Sequence, residues 1–93
     1  MAEDRASIDG ASVLDNRAAR QVEFSGEVGG EWQEFAVQYA VLEALGGTVV
    51  DGTTNVVALF DRFRDEIGRA AARALARGSG TAARVAVDEG DIL

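Results

Sequence analysis

Polar and apolar positions repeat with a helical spacing between residues 54 and 78. The apolar residues of this stretch recur at steps of three and four, namely Val56, Phe60, Phe63, Ile67, Ala70, Ala71 and Ala74. This spacing lines one face of an α-helix. Thr54 or Asn55 can cap the start of the helix, and Gly78 can end it in the left-handed conformation that glycine tolerates. The pattern therefore predicts one unbroken helix, on the order of 30 Å long, that organises the core.

A period of two replaces this spacing in residues 22–37. Val22, Phe24, Gly26 and Val28 alternate with Glu23, Ser25 and Glu27, which is typical of a half-buried strand. Gly29-Gly30 then separates this strand from a second one over residues 31–37, and a glycine pair between two such runs predicts a tight hairpin. The second strand should direct Phe35 and Val37 towards the core.

Trp32 falls in the opposite phase from Phe35 and Val37. Either a bulge near Gln33 corrects the register, or Trp32 packs on the far face of the sheet. We favour the far face, because Ala36 adds apolar area there.

Two further elements complete the predicted fold. Residues 38–45 form a short helix that Gly46-Gly47 ends, with Val41, Leu42 and Leu45 towards the core. After the Gly78-Ser79-Gly80 linker, residues 83–88 alternate again and form a last strand.

The order β-β-α-α-β predicts an α+β fold. We expect a small antiparallel sheet, made of the hairpin and the C-terminal strand, packed against one short and one long helix. Residues 1–12 are polar and small, and we expect a flexible N-terminal arm, with a short edge strand as the alternative. Residues 13–93 then form a single α+β domain.

The composition excludes several classes of chemistry. The chain has no Cys and no His, and its nine basic residues are all Arg. It therefore lacks a thiol nucleophile, the commonest general base and metal ligand, and the lysine of Schiff bases and phosphate loops. Short acidic clusters such as Asp88, Glu89 and Asp91 lack the spacing of a calcium loop. We expect no enzyme activity, no metal and no cofactor.

The formal net charge is −7, from 16 acidic and 9 basic residues. This charge argues against nucleic acid or an anionic membrane as the main partner. The N-terminus shows no apolar run of a signal peptide, and no stretch approaches the roughly 20 apolar residues of a membrane span. We expect a cytoplasmic protein, for which a homodimer would supplement a small core.

Five residues are candidates for binding a ligand or a partner. Arg64 lies at the border of the apolar stripe of the long helix, where an ion pair with Glu43, Asp61 or another acid competes with anion binding. The others are the helix arginines and the tryptophan, namely Arg69, Arg73, Arg77 and Trp32. The helix arginines form either a solvated face or a row for an anionic ligand.

A family resemblance follows from several spaced residues. These are Asp15-x6-Val22-x-Phe24, Ala44-Leu45 in the short helix, Phe60-x3-Arg64-x2-Ile67-x2-Ala70-Ala71, Arg77-Gly78 before the last strand, and Asp91. Over about residues 13–93 the chain resembles the small bacterial proteins called domain of unknown function 1488. The resemblance implies a small α+β domain and no established activity. One departure is Gln38-Tyr39, where this pattern usually has a Ser or Thr cap.

The sequence thus favours a non-catalytic protein-interaction or structural domain that self-associates, with exposed strand edges and Trp32 as the means. The alternative is an anion-binding or small-molecule-binding regulatory module that uses the helix arginines. A carboxylate-based hydrolase ranks last, because the chain has little from which to build an activated nucleophile.

Overall fold

Five strands and three helices account for most of the described chain. The computed structural model describes residues 5–77 and 84–92. Its strands are β1 (Ser7–Ile8), β2 (Leu14–Asn16), β3 (Gln21–Val28), β4 (Glu31–Gln38) and β5 (Val85–Val87). Its helices are α1 (Tyr39–Gly46), α2 (Val56–Arg62) and α3 (Arg64–Ala76), with 3₁₀ turns at Gly10–Ser12 and Glu89–Asp91. The predicted α+β class is confirmed.

The β3–β4 hairpin is the centre of the sheet. Gly29 and Gly30 have φ values of 60° and 86°, so both turn residues adopt the left-handed conformation that a two-residue hairpin of this kind requires. The strands pair without an extra residue, and Trp32 stands opposite Glu27. No bulge corrects the register, and Trp32 lies on the face opposite Phe35 and Val37, as we favoured.

The sheet is mixed, which corrects the expected antiparallel arrangement. Its strand order is β1-β3-β4-β5, and β2 also pairs with β3. The C-terminal strand β5 runs parallel to β4, with Val85 beside Phe35 and Val87 beside Val37. A parallel neighbour needs a long crossover. The chain between these strands supplies one, because it contains all three helices.

Residues 5–12 belong to the sheet and its first turn, although we expected a flexible arm over residues 1–12. Ser7 pairs with Glu27, and Ile8 pairs with Gly26. The buried Ala6 donates its N–H to the carbonyl of Gly68 on α3 over 2.9 Å. The alternative, a short edge strand, is therefore what the structure shows here. Backbone pairing of this kind depends little on side chains, so the polar sequence of residues 5–12 gives little indication of a strand. Residues 1–4 lie outside the described residues.

The predicted long helix is two helices. The backbone of Phe63 leaves the helical region, with φ −109° and ψ 24°, and separates α2 from α3. Its N–H donates to Phe60, three residues back, over 3.1 Å. Phe60, Phe63 and Ile67 keep helical spacing across this point, and the sequence has neither Gly nor Pro there. The apolar pattern therefore could not indicate the break. The predicted end at Gly78 and the linker after it lie outside the described residues.

The helices cover one face of the sheet, and three aromatic rings form its centre. The ring of Phe24 stacks on Phe35 at 5.3 Å between centroids and meets Phe60 edge-on at 5.1 Å. Val41 and Leu42 of α1 are fully buried, as predicted, and so are Val85 and Val87 of β5. We call the other side of the sheet the uncovered face; it carries Leu14, Glu23, Ser25, Glu27, Trp32, Glu34 and Ala36. None of the described helices has the length and apolarity that crossing a membrane requires.

Gly68 provides a test of the docking of the N-terminal segment. A Cβ at this position would lie 2.8 Å from the carbonyl oxygen of Ala6, and this distance is too short for a relaxed contact. We expect Gly68→Ala to destabilise the protein by about 1 kcal/mol. The strain of overpacking, about 1–3 kcal/mol, exceeds the gain of up to about 1 kcal/mol from replacing glycine in a helix. Urea unfolding measures the change.

Gly52 is the matched control, since nothing lies within 4 Å of a Cβ at that position. Gly52→Ala should be neutral or stabilising by up to about 1 kcal/mol. Equal stability of wild type and Gly68→Ala would show that residues 5–8 do not pack on α3 as described.

Candidate functional site

The five predicted binding residues do not meet in one place. Arg64 begins α3 and Arg77 directly follows its end, and the 13 residues of this helix extend for about 20 Å. Trp32 lies on the uncovered face, on the opposite side of the sheet from the helices. The structure thus offers three separate regions: the start of α3, its end, and the end of the hairpin.

Arg73 and Arg77 hold the C-terminal turn. The guanidinium of Arg77 donates two hydrogen bonds to the carboxylate of Asp91, from Nε over 2.7 Å and from Nη2 over 2.6 Å. Arg73 donates from Nη1 to the backbone carbonyl of Asp91 over 2.9 Å. We call these three residues the C-terminal clamp. They attach the Glu89–Asp91 turn, and with it β5, to α3.

The clamp keeps Asp91 ionised. Burial of Asp91 by itself would raise the pKa of its carboxyl, but the hydrogen bond from Arg77, a backbone hydrogen bond from Asp88 and the two guanidinium charges outweigh burial and lower that pKa. That backbone hydrogen bond runs from the N–H of Asp88 to Oδ2 of Asp91 over 3.0 Å, and it completes a capping box. Two of the three arginines in the predicted row are therefore bound within the chain, and the third, Arg69, is exposed.

Arg64 forms the ion pair that the sequence suggested, and its partner is Asp61. Nη2 and Nε of Arg64 lie 2.9 and 3.1 Å from the same oxygen, Oδ1 of Asp61. Glu43, the other acid considered, instead accepts the N–H of Val50 over 2.8 Å. A Cβ on Gly10 would come within 3.1 Å of Arg64 Nη2, so the glycine leaves room for the guanidinium.

An open groove of about 390 Å³ adjoins this ion pair. It lies between residues 10–13 and α2, and it is lined by Gly10, Val13, Asn55, Val57, Ala58, Phe60, Asp61 and Arg64. The lining is mainly apolar, with one charged pair at its end. It fits an apolar side chain or a small ligand with an apolar body and one charge. Within the described residues, no group of three or more His, Cys, Asp or Glu is arranged to hold a metal ion.

A cluster that we did not predict joins β2 to α1. The hydroxyl of Tyr39 donates to Oδ1 of Asp15, whose other oxygen lies 3.1 Å from Arg17 Nε. Arg20 lies over the ring of Tyr39, at 5.1 Å from its centroid. The N–H of Tyr39 donates to the carbonyl of Arg20 over 2.9 Å, and the Gln38 side chain, at the position of the usual Ser or Thr cap, makes no capping bond.

The contacts of this cluster hold β2 and α1 together. Burial, followed by the hydrogen bond to Asp15, raises the pKa of Tyr39. The phenol therefore stays protonated at neutral pH and acts as a hydrogen-bond donor rather than as a base. The only signals in the sequence were Asp15, which belongs to the resemblance pattern, and the single tyrosine of the chain.

A polar network fills the middle of the uncovered face. Oε2 of Glu23 accepts from Asn16 Nδ2 over 2.9 Å and from Gln21 Nε2 over 2.8 Å, and Arg84 Nη1 lies 3.5 Å away. The hydrogen bonds from Asn16 and Gln21 lower the pKa of Glu23, burial opposes them, and Arg84 adds to the lowering. Glu23 is thus a satisfied carboxylate, and it lies directly opposite Leu14 on this face.

The lowered pKa of Asp91 leads to a pH-dependent prediction. Because folding lowers this pKa, the clamp contributes stability above the pKa of the unfolded carboxyl and loses it as the pH falls through the folded value. Asp91→Asn should cost about 1–3 kcal/mol at pH 7, since it removes the charge and replaces one buried acceptor oxygen of the Arg77 pair with an NH2 donor. Urea unfolding from pH 7 down to about pH 2 should show wild type and variant converging below about pH 4.

Asp65→Asn is the control for the pH series. Asp65 is 71% exposed and lies 3.7 Å from Arg5, so its replacement should change stability by no more than about 0.5 kcal/mol. A constant difference between wild type and Asp91→Asn across the whole pH range would contradict the linkage.

Comparisons with known proteins agree with this architecture. A crystal structure at 1.60 Å of a protein of unknown function from the DUF1488 family of Shewanella loihica PV-4 superposes with a TM-score of 0.67 and 16% sequence identity, covering 95% of this chain and 100% of that one. At this identity the likeness shows the fold alone. A search of curated proteins finds no match. The family model described as "Protein of unknown function (DUF1488)" matches residues 14–86. The chain therefore belongs to the DUF1488 family, as the spaced residues of the sequence had suggested.

Proposed function

We propose that this protein is a non-catalytic protein-contact domain that self-associates into a homodimer through the open edge of β2. The proposal rests on the unpaired side of β2. β2 pairs with β3 on one side and has no partner on the other among the described residues. An unpaired edge of this kind accepts a second strand, and a two-fold axis brings the same strand of another copy to it.

Apolar side chains lie on both sides of this edge. Leu14 is 59% exposed on the uncovered face, and Val57, which lines the groove with Val13, is 45% exposed. We call Leu14, Val57 and the edge of β2 the β2 surface. A dimer would remove both side chains from water, and a fully buried aliphatic side chain contributes about 1.5–3 kcal/mol.

The charges at the β2 surface also suit contact between identical copies. Asp15 is paired with Arg17 at 3.1 Å, and Asp61 is paired with Arg64 at 2.9 Å. Two copies that meet here bring together ion pairs of no net charge, so the overall charge of −7 opposes the contact less than it would elsewhere. The same proposal places the domain in the cytoplasm, and fractionation of cells that express the tagged chain tests that placement.

Light scattering after size exclusion tests self-association. Wild type should show the mass of a dimer, and Leu14→Ser with Val57→Ser should show that of a monomer with unchanged circular dichroism. Both side chains are exposed in the single chain, so the double variant should fold. A wild-type monomer at about 1 mM would contradict the proposal, because a contact of only about 4 kcal/mol is detectable at that concentration.

Val49→Ser is the matched control for this experiment. Val49 is 73% exposed and lies in the α1–α2 connection, away from the β2 surface. This variant removes an apolar side chain that is more exposed than either Leu14 or Val57, and it should remain a dimer. Dissociation of Val49→Ser as well would show that association follows general surface hydrophobicity instead of this edge.

The second candidate is an anion-binding module at Arg64, which is favoured by the position of this guanidinium at the end of an apolar groove. Arg64 uses Nε and Nη2 on one oxygen of Asp61, so Nη1 and the second N–H of Nη2 can take part in binding an anion. The suitable ligand is a carboxylate with a short apolar tail that lies on Val13 and Val57.

Calorimetric titration with hexanoate and with inorganic phosphate tests this candidate. Arg64→Met should weaken hexanoate binding by about tenfold or more, as the loss of a charge-assisted hydrogen bond implies. Arg69→Met removes an exposed arginine of the same helix and should leave binding unchanged. A loss of stability in Arg64→Met, with no anion bound by wild type, would leave Arg64 only its ion-pair role.

A further inference from the structure

The end of the hairpin presents an aromatic ring among carboxylates. Trp32 is 63% exposed on the uncovered face. Glu27 is its cross-strand partner, and Glu34 stands two residues further along the same strand on the same face. Glu31 precedes Trp32 and pairs with Val28, so its side chain belongs to the other face. We call Glu27, Trp32 and Glu34 the hairpin surface.

The carboxylates of the hairpin surface have no cationic partner within residues 5–77 and 84–92. Glu34 accepts a hydrogen bond from the hydroxyl of Ser25 over 2.7 Å, which leaves its charge in place. Arg84, which directly precedes β5, instead lies 3.5 Å from Glu23. Two negative charges thus flank an exposed indole on one face of the sheet, without compensation from the described chain.

We propose that the hairpin surface binds an arginine-rich or lysine-rich segment of another protein. One cation of the segment lies on the face of Trp32, where the ring quadrupole attracts it, and neighbouring cations pair with Glu27 and Glu34. Charge complementarity selects this occupant. The net charge of −7 also accelerates the approach of a basic partner.

The same charges disfavour the other occupants. A second copy docked here would oppose two carboxylates to two carboxylates, and a nucleic acid would oppose them to phosphates. An entirely apolar partner would leave the carboxylates desolvated and unpaired. This binding extends the proposed protein-contact role to a second partner, and it does not depend on self-association at the β2 surface.

Fluorescence anisotropy with labelled hexa-arginine as the probe tests the proposal. Wild type should bind hexa-arginine, should not bind labelled hexa-glutamate, and should lose affinity as salt is added. Trp32→Ala should weaken binding by about tenfold or more, as expected for an aromatic residue at the centre of a contact. Trp32→Phe keeps a ring and should retain most of the affinity. Because Trp32 is the single tryptophan, its emission should also change on binding.

A pair of charge variants separates this surface from general attraction to an acidic protein. Glu27→Gln and Glu34→Gln together should weaken binding at least as much as Trp32→Ala and should reduce its salt dependence. The matched double variant Glu66→Gln and Glu89→Gln removes the same number of charges elsewhere and should bind nearly as wild type.

Equal losses in the two charge variants, or full affinity in Trp32→Ala, would overturn the proposal. The Leu14→Ser and Val57→Ser double variant should bind hexa-arginine as wild type does. A monomeric wild type that still binds the probe would therefore contradict only self-association, and a dimer that does not bind it would contradict only the hairpin surface.

Discussion

The contact of Phe24 with Phe35 and Phe60 is the interaction on which the rest of the structure depends. It joins both strands of the hairpin to α2, and the other buried side chains of the core extend from it. Since all three helices pack on this one side, the opposite face of the sheet has no helical cover. A chain of 93 residues has too little apolar sequence to cover both faces. The uncovered face, its edges and the groove beside α2 are consequently where contacts with other molecules can form.

The short strands at the edges are attached in a different way from the hairpin. β1 has two residues, and β2 and β5 have three each, so backbone pairing alone holds them weakly. Each is supported by an additional polar contact: Ala6 with the carbonyl of Gly68, Asp15 with Tyr39, and Asp91 with Arg77. Two polar residues of the resemblance pattern, Asp15 and Asp91, thus attach edge elements to the helices.

The sequence predicted the parts of the fold that repeat and missed the parts that depend on a single contact. Alternation in residues 22–37 and the Gly29-Gly30 pair define the hairpin, and Trp32 was correctly placed on the far face. The break at Phe63 could not be predicted, because the apolar spacing continues through it. The parallel direction of β5 and the pairing of β1 depend on where the chain returns in space, which no local pattern records. The arginine row illustrates the same limit, since Arg73 and Arg77 are bound to a turn 14 or more residues away along the chain.

The distribution of ion pairs explains how an acidic chain can present surfaces of different character. Its nine arginines are fewer than its 16 acids, so some carboxylates must lack a partner, and their location is informative. At β2 and at the start of α3, Asp15 and Asp61 are neutralised by arginines close in sequence. At the hairpin end, the described chain supplies no arginine to Glu27, Glu31 or Glu34. The β2 edge, where the ion pairs have no net charge, is compatible with an identical copy. The hairpin end, with Trp32 and its unpaired carboxylates, requires a partner of opposite charge. The positions of nine arginines thus set the two surfaces apart, although both belong to one small sheet.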